Sequence, residues 1–256
     1  MILKGRGISK GKGEGEVLLS ASATSLLGGV EPSTGMLTDP AHNGRSIKGQ
    51  VFAFPQGRGS TVGSYVLLEM RRQGTLPAAL INALAEPIVA TGAVMAAVPL
   101  VDRIDLSLLK DGDHAVVDGT QGTVELPDVK ESHVVSCIVR DGVKLLLLKR
   151  SAEVGTFQGY WAAVSGFVEE GDSPQRTAVK ELGEETGLDL PIAKEGKMVT
   201  VRDRDTIWHI HPFLFEAHAP LVCIDWEHTE FCWVQPQELK DYQTVPGLAE
   251  LLRDLL

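Results

Sequence analysis

Apolar positions along the chain fall into short clusters at strand spacing, interrupted by three stretches at helical spacing. Residues 16–19, 50–54 and 78–84 read as strands, the second ending at Pro55, and residues 65–72 as an apolar helix after a Gly-rich turn. Residues 87–89 read as a helix start, residues 93–101 as an apolar strand or helix, and residues 114–126 as a hairpin about Asp118-Gly119. Residues 4–16 are Gly-rich, and residues 24–35 have the turn chemistry of loops. After a polar linker at 127–132, residues 133–139 and 144–149 read as strands joined by an Asp141-Gly142 turn. Residues 159–166 read as a buried strand, 198–202 and 207–215 as further strands, and 247–256 as a C-terminal helix.

The sharpest helical signal lies between residues 173 and 187. Ser173 suits an N-cap and Pro174 the first helical position, where a missing N–H costs nothing. Gly187 suits the left-handed residue that ends a helix. Val179, Leu182 and Thr186 step by three and four and are expected to face the core, with Glu181, Glu184 and Glu185 on the neighbouring face. Like charges at this spacing repel by roughly 0.2–0.5 kcal/mol per pair, a cost that a cation among them removes. Mg²⁺ takes oxygen ligands and binds through a few carboxylates together with substrate phosphates. The alternative is a solvated acidic face.

Composition sharpens this picture. The 256 residues suffice for two domains, and 43% hydrophobic with 23% charged residues describes a globular protein. Net charge is −10, unevenly placed: residues 1–130 hold 13 acids and 12 bases, leaving 21 and 12 for the remainder. An acidic chain without a basic patch argues against nucleic-acid binding and fits a metal site in the second half. The apolar stretch 78–101 is broken by Asn82, Glu86 and Pro87, so no membrane span is expected. Cys137, Cys223 and Cys232, sparse and odd in number, suggest thiols in a reducing compartment. With no apolar leader at the N-terminus, the expected location is cytoplasmic.

Residues 166–188 resemble the box that defines Nudix hydrolases. Gly166, Glu181, Leu182, Glu184, Glu185, Gly187 and Leu188 match its pattern, whereas Asp172 stands where that family has Glu and Lys180 where it has Arg. Lys lacks the planar fork with which Arg orients a carboxylate. The resemblance implies an α/β/α sandwich over 133–256 that hydrolyses a diphosphate linked to a group X. Glu181, Glu184 and Glu185 would hold Mg²⁺ around a carboxylate-positioned water, with Glu184 also assigned to catalysis. It further implies an assisting acid near the Trp-rich segment 225–234: Glu230 is the candidate, Glu227 the runner-up. Lys149 or Arg150 would hold a phosphate. Trp161, Trp208 and Trp233 would stack on a base or pack in the core.

Residues 1–126 resemble the small, swivelling β/α subunit of the aconitase X family, through Gly28-Gly29-Val30-Glu31-Pro32, Gly35, Asp39, His42 and Gly57-Arg58-Gly59-Ser60. That family includes archaeal two-subunit members that dehydrate phosphomevalonate and bacterial relatives that dehydrate hydroxyproline. The resemblance implies that Ser60 is the base removing a proton beside a carboxylate, that Arg58 and Gly59 meet substrate anions, and that Asp39 and His42 lie near. It also implies a separate large subunit carrying an iron–sulfur cluster, since residues 1–126 contain no cysteine to ligate one. Three readings stand: a bifunctional hydrolase and dehydratase subunit, a dehydratase subunit whose second half only binds a diphosphate, or a hydrolase on a relict scaffold.

Overall fold

The strands Val51–Phe54 and Ala79–Asn82, Val-Phe-Ala-Phe and Ala-Leu-Ile-Asn, are buried along their whole length. Strands apolar on both faces belong in the middle of a parallel sheet covered on each side, and there they lie. The computed structural model describes residues 1–39, 42 and 44–256, and the chain divides into two compact units, Met1–Lys130 and Glu131–Leu256. Pro40, Ala41 and Asn43, in the Asp39–His42 region named above, lie outside the described residues.

In the first unit an eight-stranded sheet runs in the order Ile2–Lys4, Thr123–Glu125, His114–Asp118, Lys12–Leu19, Val51–Phe54, Ala79–Asn82, Leu100–Asp102, Arg6–Ser9. Pairings from Lys12–Leu19 to Leu100–Asp102 are parallel, and the flanking ones antiparallel. Its two end strands are joined by Gly5 alone, so the sheet curls until its ends approach, and Gly5 donates its N–H to Gly122 O at 2.8 Å. Helices α1 (Ser64–Gln73) and α2 (Pro87–Ala96) cover the parallel strands, burying Leu67, Met70, Val89 and Ala93 against Phe52, Phe54 and Leu80. The apolar run 93–101 thus divides between the end of α2 and a strand, with Ala97 in a left-handed cap at φ +50°.

The second unit is built on the antiparallel hairpin Lys130–Asp141 and Lys144–Arg150. Thr206–Ala217 adjoins the first of these strands, and His228–Val234 pairs with the second. Alternate residues face two helices. Val135, Cys137, Val139, Phe213 and Phe215 pack with Ala178 and Leu182 of α3 (Pro174–Thr186). Ile138, Leu145, Leu147 and Leu214 pack with Leu248, Leu252 and Leu255 of α4 (Leu248–Leu255). This is a sheet between helices, and the chain is a two-domain α/β protein. Among the described residues no helix is long and apolar enough to cross a membrane. All three cysteines are free.

Two expectations need correction. The linker 127–132 is shorter: Lys130, Glu131 and Ser132 already belong to the first strand of the second unit. Their polarity hid them, because this strand end is exposed. In α3, Val179 is 41% exposed, whereas Thr177, Ala178, Leu182, Glu185 and Thr186 are buried. The buried stripe is rotated so that a carboxylate takes a place expected for an aliphatic side chain.

Because all four Trp residues lie beyond residue 131, their fluorescence reports the second unit alone. Leu182→Ala is expected to destabilise that unit by about 2–5 kcal/mol in urea unfolding. Val179→Ala, at the exposed position, is expected to cost less than about 0.5 kcal/mol.

Candidate functional site: a carboxylate cleft and a glycine-walled hollow

Helix α3 starts and stops where its sequence says it should. Ser173 Oγ accepts from the Arg176 N–H at 3.3 Å, Pro174 is the first helical residue, and Gly187 ends the helix at φ +70°. The caps fix the ends of α3, and the packing of Ala178 and Leu182 sets which side meets the sheet. Glu181 and Glu185, one turn apart, point to the same side; Glu185 is 3% exposed. Glu184 lies on the shoulder of that face, its side chain 59% exposed and 3.6 Å from Lys180 Nζ.

The buried Glu185 carboxylate is only partly satisfied. One oxygen accepts from the Ser165 N–H at 3.3 Å. The other lies 3.5 Å from His228 Nε2, and neither of those two atoms has a hydrogen-bond partner among the described residues. Burial pushes the Glu185 carboxyl up from 4.5 to about 9, with Glu181, Glu227 and Asp225 adding to the rise. Glu181 is also raised, chiefly by burial. On the other side of His228, Nδ1 is 3.1 Å from Asp225 Oδ1, and burial holds its imidazole below the ordinary value.

Gly166 is where the sheet comes closest. A Cβ there would lie 2.2 Å from Glu181 Cδ, so any side chain at 166 would displace the Glu181 carboxylate. The cleft beyond has a volume of about 460 Å³, and its walls include Glu181, Glu227, Arg150, Phe157, Trp208 and Trp226. Arg150 is fixed by donating Nε–H to Thr156 O at 3.0 Å. Oxygen donors, an unpartnered buried carboxylate oxygen and an Arg at the rim fit Mg²⁺ with a phosphate group. Glu181 and Glu185 would hold the ion, with Glu184 and Glu227 within the same acidic neighbourhood.

The structure does not bring Glu230 to this group. Its side chain is 57% exposed and accepts from Lys149 Nζ at 2.8 Å, on the strand His228–Val234. Glu227, just before that strand, is the acid that lines the cleft, while Asp225 pairs with His228 behind it. Lys149 is accordingly engaged away from the cleft, 5.7 Å above the Trp161 ring. Trp161 meets Tyr242 edge-on and Trp233 packs into the core, leaving Trp208 on the cleft wall. Sequence reasoning missed Trp226, 63% exposed beside Glu227, and the pair Asp225 and His228. Their only sequence signal was a dense run of acids ahead of an alternating strand.

In the first unit, Ser25 and Arg58 pair across two short parallel strands. Gly28, Gly29, Asp39, His42 and Arg58 line a hollow of about 340 Å³. His42 is buried, and its Nδ1 has no hydrogen-bond partner among the described residues. Gly59, at φ +102°, carries the chain to the exposed Ser60, which lies outside the lining of that hollow. Ser60 Oγ accepts from the Val62 N–H at 3.3 Å and caps a 3-10 turn, Thr61–Gly63, that runs straight into α1.

These two sites match two families. The family model for the aconitase X swivel domain matches residues 2–126, and that for the NUDIX domain residues 130–255. The phosphomevalonate dehydratase small subunit of Methanosarcina acetivorans is 48% identical over 137 residues, covering 52% of this chain and 95% of that protein. The same subunit of Pyrococcus furiosus is 52% identical over 128 residues, covering 49% and 96%. A crystal structure of Thermococcus kodakaraensis aconitase X in its holo-form has a TM-score of 0.48 and 48% identity, covering 49% of this chain and 98% of that one. The chain is a two-domain α/β protein. It belongs, through its first unit, to the aconitase X swivel-domain family of phosphomevalonate dehydratase small subunits, and its second unit is a Nudix domain.

The raised Glu185 pKa sets a pH dependence. Without metal, the folded protein keeps this proton between about pH 4.5 and 9, where the unfolded chain releases it. The stabilisation is therefore complete below the lower value and is lost as pH rises through the upper. With a chelator present, Tm of the second unit should fall between about pH 6 and pH 9, and Glu185→Gln should flatten that fall. Mg²⁺, which replaces the proton, should raise Tm more at the alkaline end. Scanning Trp fluorescence against temperature at a series of pH values checks all three.

Proposed function

We propose that the chain is bifunctional: an Mg²⁺-dependent hydrolase of a diphosphate linked to X, joined to the small subunit of an aconitase X-type dehydratase. The observation carrying the first half of this reading is the buried Glu185, short of a hydrogen-bond partner and crowded by Glu181, Glu227 and Asp225. When bound, Mg²⁺ would supply charge neutralisation for the phosphate under attack. Glu181 and Glu185 would hold the ion, Glu184 would close the exposed side, and Glu227 in place of Glu230 would orient the attacking water. Arg150 anchors a phosphate. Aromatic walls at Phe157, Trp208 and Trp226 suit an X with a base or another apolar group, so ADP-ribose, nucleoside triphosphates and prenyl diphosphates are the substrates to try. Fusion to a unit resembling phosphomevalonate dehydratase favours an isoprenoid diphosphate.

For the first unit, the relatives' name as small subunits supports a large-subunit partner, which would bring the iron–sulfur cluster and most of the substrate site. Ser60 would be the base, its alkoxide favoured by the backbone N–H groups of the turn it caps. Arg58 and Gly59 would meet substrate anions. Asp39 and His42 line the Arg58 hollow. Neither nucleic acid nor membrane is part of this reading, and the expected location is the cytoplasm.

A second reading has a specific observation behind it. Lys180, where the Nudix pattern has Arg, pairs with Glu184 on the exposed side of α3 and does not brace the buried carboxylates. This is compatible with a second half that only binds a regulatory diphosphate.

Mg²⁺-dependent phosphate release from that substrate panel separates the two readings. Glu185→Gln is expected to lower kcat by about 100-fold or more. Glu227→Gln should fall substantially, and Glu230→Gln by less than about 3-fold. Binding of a diphosphate without turnover on any substrate would favour the second reading. Cleavage of ADP-ribose but not of prenyl diphosphates would rule out the isoprenoid assignment. For the first unit, the chain should co-purify with a Cys-bearing large subunit, and Ser60→Ala should abolish dehydration by that complex without weakening the association.

A further inference from the structure

The strand Lys130–Asp141 carries Glu131 and His133 two residues apart, so both side chains leave the same face. On the neighbouring strand Thr206–Ala217, His209 and His211 do likewise. They alternate with the cleft-lining Trp208 and Ile210, do not themselves line the cleft, and share the sheet face of Phe213 and Phe215. Glu131, His133 and His209 each present a donor atom, all within 4.8 Å of one another.

The geometry at this cluster is that of ligands, not of an ordinary ion pair. Glu131 Oε1 is 2.9 Å from His209 Nε2 and 3.9 Å from His133 Nε2. The shorter approach lacks hydrogen-bond alignment: His209 Nε2 is buried with no hydrogen-bond partner among the described residues, on a side chain 9% exposed. The other nitrogen of each ring is already engaged. Thr200 Oγ1 lies 3.1 Å from His209 Nδ1, and His211 Nε2 lies 3.1 Å from His133 Nδ1. Partners on Nδ1 hold an imidazole in orientation and leave Nε2 for a metal. The His133 and His209 rings stack with centroids 4.6 Å apart, which brings their Nε2 edges to the same carboxylate.

We propose that Glu131, His133 and His209 bind a divalent transition ion of the zinc type, with water in the fourth position and Thr200 and His211 orienting the two imidazoles. A tetrahedral ion at about 2.0–2.1 Å from each ligand needs donors roughly 3.4 Å apart, between the two separations above. Two imidazoles and one carboxylate select zinc-like ions over Mg²⁺, which prefers all-oxygen sites. The ion would clip the start of one strand to its neighbour at a strand end that is otherwise polar and exposed. None of its three ligands lines the carboxylate cleft, and its ligand chemistry differs from that of the cleft.

The test is Zn²⁺ titration by calorimetry of the full chain, stripped by a chelator, with Mg²⁺ in excess and Glu185→Gln as background to silence the cleft. One equivalent of Zn²⁺ should bind. His133→Ala, at a half-exposed position that leaves the fold intact by Trp fluorescence, should weaken binding by about 100-fold. Thr200→Val should weaken it by about 10-fold, the size expected for an outer partner. Co²⁺ should give the intense visible absorption of a tetrahedral site, lost in His133→Ala. Absence of saturable binding, binding indifferent to His133→Ala, or a thiolate-to-cobalt absorption band pointing to Cys223 would each overturn the assignment.

Discussion

A carboxylate that folding removes from water is the constraint on which the second unit turns. Glu185 sits on the buried stripe of α3, against a sheet whose facing residues are Val135, Cys137, Phe213 and Phe215. Burying an anion without compensation costs several kcal/mol, and a group in that position keeps its proton instead. Burial pushes the Glu185 carboxyl in that direction, up to about 9. A cation beside the unpartnered Glu185 oxygen would supply the missing partner and offset that cost.

The surrounding architecture keeps that burial in register. Ser173 and Gly187 fix the start and end of α3, while the packing of Ala178 and Leu182 on the sheet sets the rotation that puts Glu181 and Glu185 inward and Glu184 outward. Gly166 lets the Glu181 carboxylate lie against the adjoining strand with no side chain between them. His228 and Asp225 close the back of the site from the start of the last strand. The rim is lined by aromatic groups and one Arg braced by the Thr156 carbonyl. Each element holds a group whose chemistry would be lost if it moved by one residue.

The first unit obeys a different logic. Its core is a parallel sheet with two helices over it, and its chemistry-bearing residues sit on loops beyond the strand ends, around Arg58 and Ser60. An exposed Ser60 beside a small hollow is an arrangement that a second protein can complete, consistent with relatives that are named as small subunits. The chain thus joins a swivel domain to a Nudix domain, and each unit carries its own cluster of polar side chains.

Much of this was legible in the residue order because it depends on local rules. Caps, turns, strand periodicity and the spacing of Gly166, Glu181, Glu184, Glu185 and Gly187 act over a few residues, so α3, the hairpins and the two-domain α/β class follow from the chain itself. What the tertiary structure decided depends on distance in space. Helical spacing alone placed Val179 in the core, but the sheet takes the neighbouring stripe and buries Glu185 instead. Proximity to a Trp-rich strand suggested Glu230, yet strand alternation and the Lys149 pair turn it outward, and the preceding turn delivers Glu227. The Glu131, His133 and His209 cluster left no local trace at all. Its strands are brought together across 78 residues, the separation of His133 and His211, and only sheet pairing sets two imidazoles and a carboxylate around one point.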